Sequence, residues 1–491
     1  MKTSVMMLCA ALPAAAVPPA TSVTLDLHPI ARNGAVTAVD VAMTFSAGKR
    51  DGFELTAPIV YPGVAGVADR MTSITAQDAK GSVTLVPRDD AAVPGGFSYS
   101  RHWTAARAVA YPVRIRYRGL VQPPGGANGP PFGMRAVGGG VAGALATLLI
   151  TPDDPSTTPV RVRWDLAAFP PGAIGSTSAG DGDFVAPEGL AGLKQGWFLA
   201  GPAGQLAVNA GFSAAWLGTP TFDAPAAMRE AARGHAYLVR YFPHLKPAAP
   251  YRVFLQFRGQ APYGGGTALD RSFMYTRGPL KPGETPQPPL GTIFHEMIHQ
   301  WVGQIEMPEG EASWFAEGLT SYYETELPLR GGFQSVADYG ERINSQTAQY
   351  FDSKARNWSA AAIAKIGFGD EAVRRLPYRR GELYFHDLDA RIRARSNGKR
   401  NLDSLLFPMF VARETGQRFD RARWVAMVSR ELGAGEGQRF QHIVLDGTET
   451  LVPRPDAFGP CFTLSKSNDA TAAYRWVRVP GVPHQACKLA E

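Results

Sequence analysis

The spacing of apolar positions changes once along the chain. From about residue 22 to 205 they fall in short runs that alternate with polar residues. "SVTLDLHPI", "AVTAVDVAMTF", "GSVTLVPR", "YPVRIRYRGL" and "PVRVRWDL" are rich in Val, Thr and aromatics, and Gly/Pro clusters separate them. Alternation puts successive side chains on opposite faces of a strand, so these runs predict β-strands, and their spacing predicts a sandwich. From about 223 the pattern becomes helical, beginning with "APAAMREAARGHAYLVRYFPHL". A strand-like "YRVFLQF" follows at 251–257, then a Gly/Pro-rich passage. Helices dominate from there to about 432, with a stop signal at Asn397-Gly398. The remainder reads as irregular. The expected organisation is α+β: a β-rich, sandwich-like part over 22–205, a mainly helical part over 206–432 and a tail over 433–491.

The stretch "TIFHEMIHQW" at 292–301 lies within the helical part. Phe294, Met297, Ile298, Trp301 and Val302 form one apolar stripe at helical spacing. His295 and His299 sit beside it, one turn apart, so two imidazoles can meet one ion. Glu296 is rotated from His295 by about a quarter turn. That suits it to take a proton from a metal-bound water rather than to bind the metal. The plainer alternative is a pair of core histidines satisfied by backbone carbonyls. Two histidines hold a metal weakly, so a third ligand is expected downstream. Glu306, Glu309, Glu311, Glu317, Glu324 and Glu326 are the candidates. "SWFAEGLTSYYETEL" predicts a second helix capped by Ser313, with Glu317 and Glu324 on nearly the same side.

Composition narrows the class. The chain has 491 residues, is 45% hydrophobic and 19% charged, and suits a folded protein of two or three domains. The net charge of +7 is scattered, without a long basic block, so no nucleic-acid partner is expected. The first residues, "MKTSVMMLCAALPAAAVPPATS", predict a signal peptide over 1–20 and an exported protein, periplasmic or secreted. Cleavage leaves Cys461 and Cys487, an even pair that predicts one disulfide. No stable membrane insertion is expected. The apolar stretch 136–150 is too short and glycine-rich to span, and it predicts a buried strand with its loop.

"HEMIH" followed by "WFAEGLTSYYE" resembles the gluzincin zinc metallopeptidases. The likeness is nearest to the glycyl aminopeptidase family and extends more distantly to the aminopeptidase N family. It implies a thermolysin-like catalytic domain, Zn²⁺ as cofactor, a peptide as substrate and Glu317 as third ligand, with Glu324 demoted. The gap of 17 residues between His299 and Glu317 is about one shorter than the aminopeptidase N pattern. Tyr378 and Gly381 in "PYRRGELYF" match a Y-x-K-G string, and "SNGKRNLDSL" matches a stretch beyond it. In the family that tyrosine donates its hydroxyl to the oxyanion, the role implied for Tyr378 beside the base Glu296. The family's glycine-rich strand edge corresponds to "YGGGTALDRSF". Gly264, Gly265 and Gly266 suit close approach to a peptide, but the glutamate that grips the substrate amine is missing and Asp270 is the nearest carboxylate. The PDZ domain that usually ends glycyl aminopeptidases is not expected within the residues after 432. An aminopeptidase on short peptides is the expected activity. The rivals are an endopeptidase and a binding or scaffold protein with a non-hydrolytic metal site.

Overall fold

The computed structural model describes residues 23–123, 130–152, 157–259, 264–466 and 474–487. The expected signal peptide over 1–20 lies outside the described residues.

Strands Val23–Arg32 and Ala35–Phe45 pair antiparallel in the middle of a seven-stranded sheet. The neighbouring strand Val113–Leu120 shows what the alternation builds. Val113, Ile115 and Tyr117 are buried, while Arg114 and Arg116 point out and Arg118 reaches Asp40 at 2.6 Å. Two five-stranded sheets, one through Gly140–Ala144 and Trp197–Gly201, the other through Glu54–Tyr61 and Tyr99–Ala105, share the same core. The β-rich part is therefore built of three sheets that share one core. "GSVTLVPR" is not one strand. Gly81–Val83 pairs with Met71–Asp78, whereas Leu85–Asp89 pairs with Tyr99–Ala105 in another sheet.

A further sheet joins this part to the helices. Its strand order is Gly204–Asn209, Phe212–Leu217, Tyr251–Phe257, Ser272–Arg277, Gly264–Leu269. The helix Ala224–Tyr241 makes the crossover between two parallel strands, and Asp223 caps it by accepting from the Ala226 amide at 2.9 Å. One face sends Val253, Leu255, Phe273 and Tyr275 into the helical core. The other sends Phe254 and Met274 into the β-rich core. This sheet is thus the seam between two cores, and the glycine-rich strand Gly264–Leu269 forms one of its edges.

The helical part is built from Leu290–Ile298, Ser313–Arg330, Val336–Phe351 and Leu376–Arg395 with shorter helices around them. The long helix ends as expected at Asn397 and Gly398, both with positive φ. The segment after 432 differs from the irregular tail expected. It holds a helix over Gly435–Phe440, a π-helical turn over Gln441–Asp446 and a hairpin of Phe462–Lys466 with Tyr474–Arg478. A disulfide joins Cys461 to Cys487. Phe458, Phe462 and Trp476 belong to the helical core. Sequence periodicity missed the hairpin because its strands are short and dock on a helix. Asn344 accepts from the Trp476 amide at 2.8 Å and donates to its carbonyl at 3.0 Å.

Candidate metal centre

The helix Leu290–Ile298 follows two prolines, and the Pro289 carbonyl accepts from the Ile293 amide at 2.9 Å. Ile293, Phe294, Met297 and Ile298 are buried in the helical core. The regular helix stops sooner than the stripe predicts. His299 occupies its C-cap with φ −55° and ψ −17°, and the Val302 amide still donates to Ile298 O at 3.1 Å. This last turn keeps both histidines on one side, their rings 4.9 Å apart and nearly perpendicular.

The helix Ser313–Arg330 lies across them. Ser313 is its first residue rather than its cap. Ala312 holds the cap position, and the Ser313 hydroxyl donates to Gly310 O at 3.0 Å. Glu317 Oε2 stands 3.2 Å from His295 Nε2 and 3.4 Å from His299 Nε2. One donor atom from each of the three residues lies within 4.8 Å of the other two. The Nδ1 atoms are engaged elsewhere. His295 Nδ1 meets Glu324 Oε2 at 2.9 Å, and His299 Nδ1 meets Thr320 Oγ1 at 3.3 Å. The Thr320 hydroxyl donates to Ala316 O at 2.6 Å, so its lone pair faces the imidazole. Once a cation takes the place of any proton on Nε2, the proton kept on each Nδ1 leaves each Nε2 with a lone pair aimed at the common point. Two imidazole nitrogens and a carboxylate, with both rings oriented from behind, make a donor set that fits a transition-metal dication with one position open.

Charge in the cluster is balanced internally. Burial opposes a charge on His295, but Glu317 and Glu324 outweigh it and raise the imidazole to about 10. Burial likewise works against ionised Glu317, yet His299 and His295 hold its carboxyl far below the usual range. Glu324 is also held low, since Arg342 at 2.5 Å and His295 outweigh its burial. Glu296 has the opposite sense: burial pushes its carboxyl up despite the neighbouring imidazoles. Its side chain rests on the edge strand. A Cβ at Gly266 would lie 2.6 Å from Glu296 Cγ, so only glycine lets strand and carboxylate sit this close.

Tyr378 comes from the first turn of Leu376–Arg395. Its ring is nearly parallel to that of His295 at 5.9 Å, and its hydroxyl accepts from Arg374 Nη1 at 3.4 Å. Burial and Glu317 push its hydroxyl up, which keeps it a neutral donor. Two glycines bring this helix to the site. A Cβ on Gly381 would stand 2.2 Å from Trp314 O, and one on Gly318 would stand 2.5 Å from Gly381 Cα. The helices carrying Glu317 and Tyr378 therefore touch backbone to backbone, beside Glu317 and about one turn from Tyr378.

Comparison with known proteins bears on what this cluster belongs to. Residues 289–375 match the sequence model of the M61 glycyl aminopeptidase family. The fold is similar to an aminopeptidase N family protein from Idiomarina loihiensis, at 17% identity and TM-score 0.66 over 90% of this chain and 79% of that one. It is also similar to an M1 zinc metallopeptidase from Deinococcus radiodurans bound to a Tyr-Ser-Ala substrate, at 18% identity and TM-score 0.51 over 89% and 96%. The chain is a peptidase with the fold of these metallopeptidases. Yeast leukotriene A4 hydrolase with bestatin shares the fold at 13% identity and TM-score 0.53, over 89% of the peptidase and 69% of the hydrolase. No curated protein matches the sequence.

In this peptidase the cluster opens into a cleft of about 1410 Å³ lined by both cores. His295, Glu296, His299, Glu317 and Tyr378 all face it, as do Gly265, Gly266 and Asp270. Gly264 begins the edge strand, which is a strand rather than a loop. Asp270 lies in the turn beyond that strand, with its carboxylate on Arg271 at 2.9 Å. Among the other candidates for third ligand, Glu306 pairs with Arg418 at 3.0 Å, Glu324 stands behind His295 and Glu326 accepts from Tyr339 at 2.6 Å, while Glu309 and Glu311 do not join the group formed with the two histidines. Thr320, Arg342 and Arg374 escaped the sequence reading. Thr320 and Arg342 act through contacts across helices, and Arg374 through its approach to the Tyr378 hydroxyl, none of which a local spacing shows.

Proposed function

We propose that the peptidase is zinc-dependent and hydrolyses short peptides, with His295, His299 and Glu317 as the metal ligands. The meeting of both Nε2 atoms at Glu317 Oε2, with both Nδ1 atoms engaged from behind, carries this reading. Zinc in such a site supplies a Lewis acid and lowers the pKa of a water in its open position. Glu296 takes a proton on its carboxylate and returns it to the leaving amine. The Tyr378 hydroxyl donates to the peptide oxygen as that oxygen gains charge. Gly264, Gly265 and Gly266 offer the peptide a strand edge free of side chains. The catalytic part starts near residue 206 and takes in the segment after 432, which shares its core. The Cys461–Cys487 bond supports an exported, oxidising location, and no described helix is long and apolar enough to cross a membrane.

An aminopeptidase is the first reading of specificity. An endopeptidase is the second, favoured by the edge strand's lack of a carboxylate and by the pairing of Asp270 with Arg271. Purified protein is given a mixed peptide library with and without a chelator. Cleavage that stops on chelation and returns with zinc is expected; activity indifferent to chelation overturns the metal reading. Free and N-acetylated peptides then separate the two specificities, because an aminopeptidase needs the free amine.

A further inference from the structure

The face of the seam sheet that turns toward the β-rich core changes character at the cleft. Phe254 and Met274 are apolar and packed in that core. Two residues further along the same strands, Gln256 and Thr276 face the same way and are adjacent in register. Both are buried. Next after Gln256 on this face is Arg258. Its Nε and Nη2 both donate to Gln256 Oε1, at 3.3 and 3.0 Å. The β-rich part brings Arg135 and Gln122 to the same place. Arg135 donates to Pro123 O at 3.0 Å, and the Gln122 amide donates to Met134 O at 2.7 Å. Arg135, Arg258, Gln122 and Thr276 all line the cleft.

Three features make this a built site. The two guanidiniums are half-buried and lie close enough to repel, and burial with Arg135's charge lowers Arg258 to about 10. Thr276 is 3% exposed and its hydroxyl has no partner; Gln122 also buries an unpartnered side-chain oxygen. No ion pair is formed by Arg258 among the described residues, and neither 124–129 nor 260–263 contains an Asp or Glu. Other arginines of the cleft are engaged with carboxylates: Arg374 and Arg375 hold Glu371 at 2.8 Å each, and Arg379 holds Glu382 at 3.1 Å. The site also adjoins the reacting centre, because Thr276 pairs with Gly265 and the next glycine, Gly266, abuts Glu296.

We propose that Arg135 and Arg258, with the Thr276 hydroxyl, bind a carboxylate of the peptide substrate, so that this peptidase selects anionic peptides. A planar guanidinium matches a carboxylate oxygen pair, and a partly desolvated cation without an ion pair, as Arg258 is among the described residues, gains most from such a partner. The carboxylate is either an acidic side chain or the peptide's C-terminus. This inference rests on the peptidase reading of the neighbouring cluster.

Two peptide series test it. One replaces Asp or Glu by Asn or Gln at each position in turn; the other amidates the C-terminus. The intact protein should cleave the anionic member faster in kcat/KM by about tenfold or more, the scale of a charge-assisted hydrogen bond. The series that responds identifies which carboxylate is held. In Arg258→Gln the ratio should fall toward one, while Arg258→Lys should retain part of it. Equal cleavage of both members by wild type, or an undiminished ratio in Arg258→Gln, overturns the proposal. Affinity is measured separately with Glu296→Gln, using the same fluorescently labelled peptides. Tighter binding of the anionic member without turnover in wild type would uphold this site and sink the catalytic one. Turnover without charge preference would do the reverse.

Discussion

Glu296 owes its place to a neighbour with no side chain. Gly266 lets the carboxylate lie against the edge strand, so Gly266→Ala should displace the base, lowering kcat more than it changes KM. Glu296→Gln should keep its metal by elemental analysis and lose turnover by about 10²–10⁴-fold, the range of general-base catalysis. Retained activity in that variant removes Glu296 from the mechanism. Glu324→Gln or Thr320→Val should weaken metal binding by about 10–100-fold through the orientation of the imidazoles. A competition titration with a chelating dye checks this. The two histidines and Glu296 were legible because a one-turn spacing is a local property. Glu317 and Glu324 were not separable by periodicity, since seven residues bring a helix back to nearly the same side. They differ in position along the helix axis: Glu317 arrives at the Nε2 atoms and Glu324 at Nδ1.

At the scale of elements, the crossing of two helices at Gly318 and Gly381 fixes how Glu317 and Tyr378 face each other. Either Gly→Ala change introduces a Cβ closer than contact distance to backbone. The expected cost is about 1–3 kcal/mol, as for overpacked cores. Activity should fall further than stability, which denaturation and kcat measured together will reveal. The helix Ala224–Tyr241 contributes differently. His235 on it is buried among Phe212, Tyr251 and Trp301, and burial holds its imidazole down at about 4. The ordinary value is about 6.5. Between these values the unfolded chain takes up a proton that the folded one does not. Stability is therefore full above about pH 6.5 and declines toward pH 4, by up to about 3 kcal/mol. His235→Phe should flatten that part of the urea midpoint against pH; an unchanged slope would place its origin elsewhere. Most elements could be read from sequence because burial on one face imposes a period. The splitting of "GSVTLVPR" between two sheets could not, since alternation does not say which neighbour a strand chooses.

For the whole molecule, two cores meet along one sheet, and the cleft opens where their apolar contact ends. The order of β-structure before helices was plain in the sequence, as was the cysteine pair. The segment after 432 looked irregular because its order comes from what it packs on. The bridge closes a loop with sequence separation 26, for which chain entropy gives about 3–4 kcal/mol. Cys461→Ser with Cys487→Ser should lower the thermal midpoint accordingly, and an unaltered midpoint would show that the hairpin holds without it. The hairpin's grip on Asn344 has a practical side. Asn344 shares its helix with Arg342, which supports Glu324 behind His295. An attempt to make a minimal enzyme by stopping the chain at 432 would strip Phe458, Phe462 and Trp476 from the interior and leave that support unanchored. Trimming for crystallisation or display is better directed at the surface loops of the β-rich part.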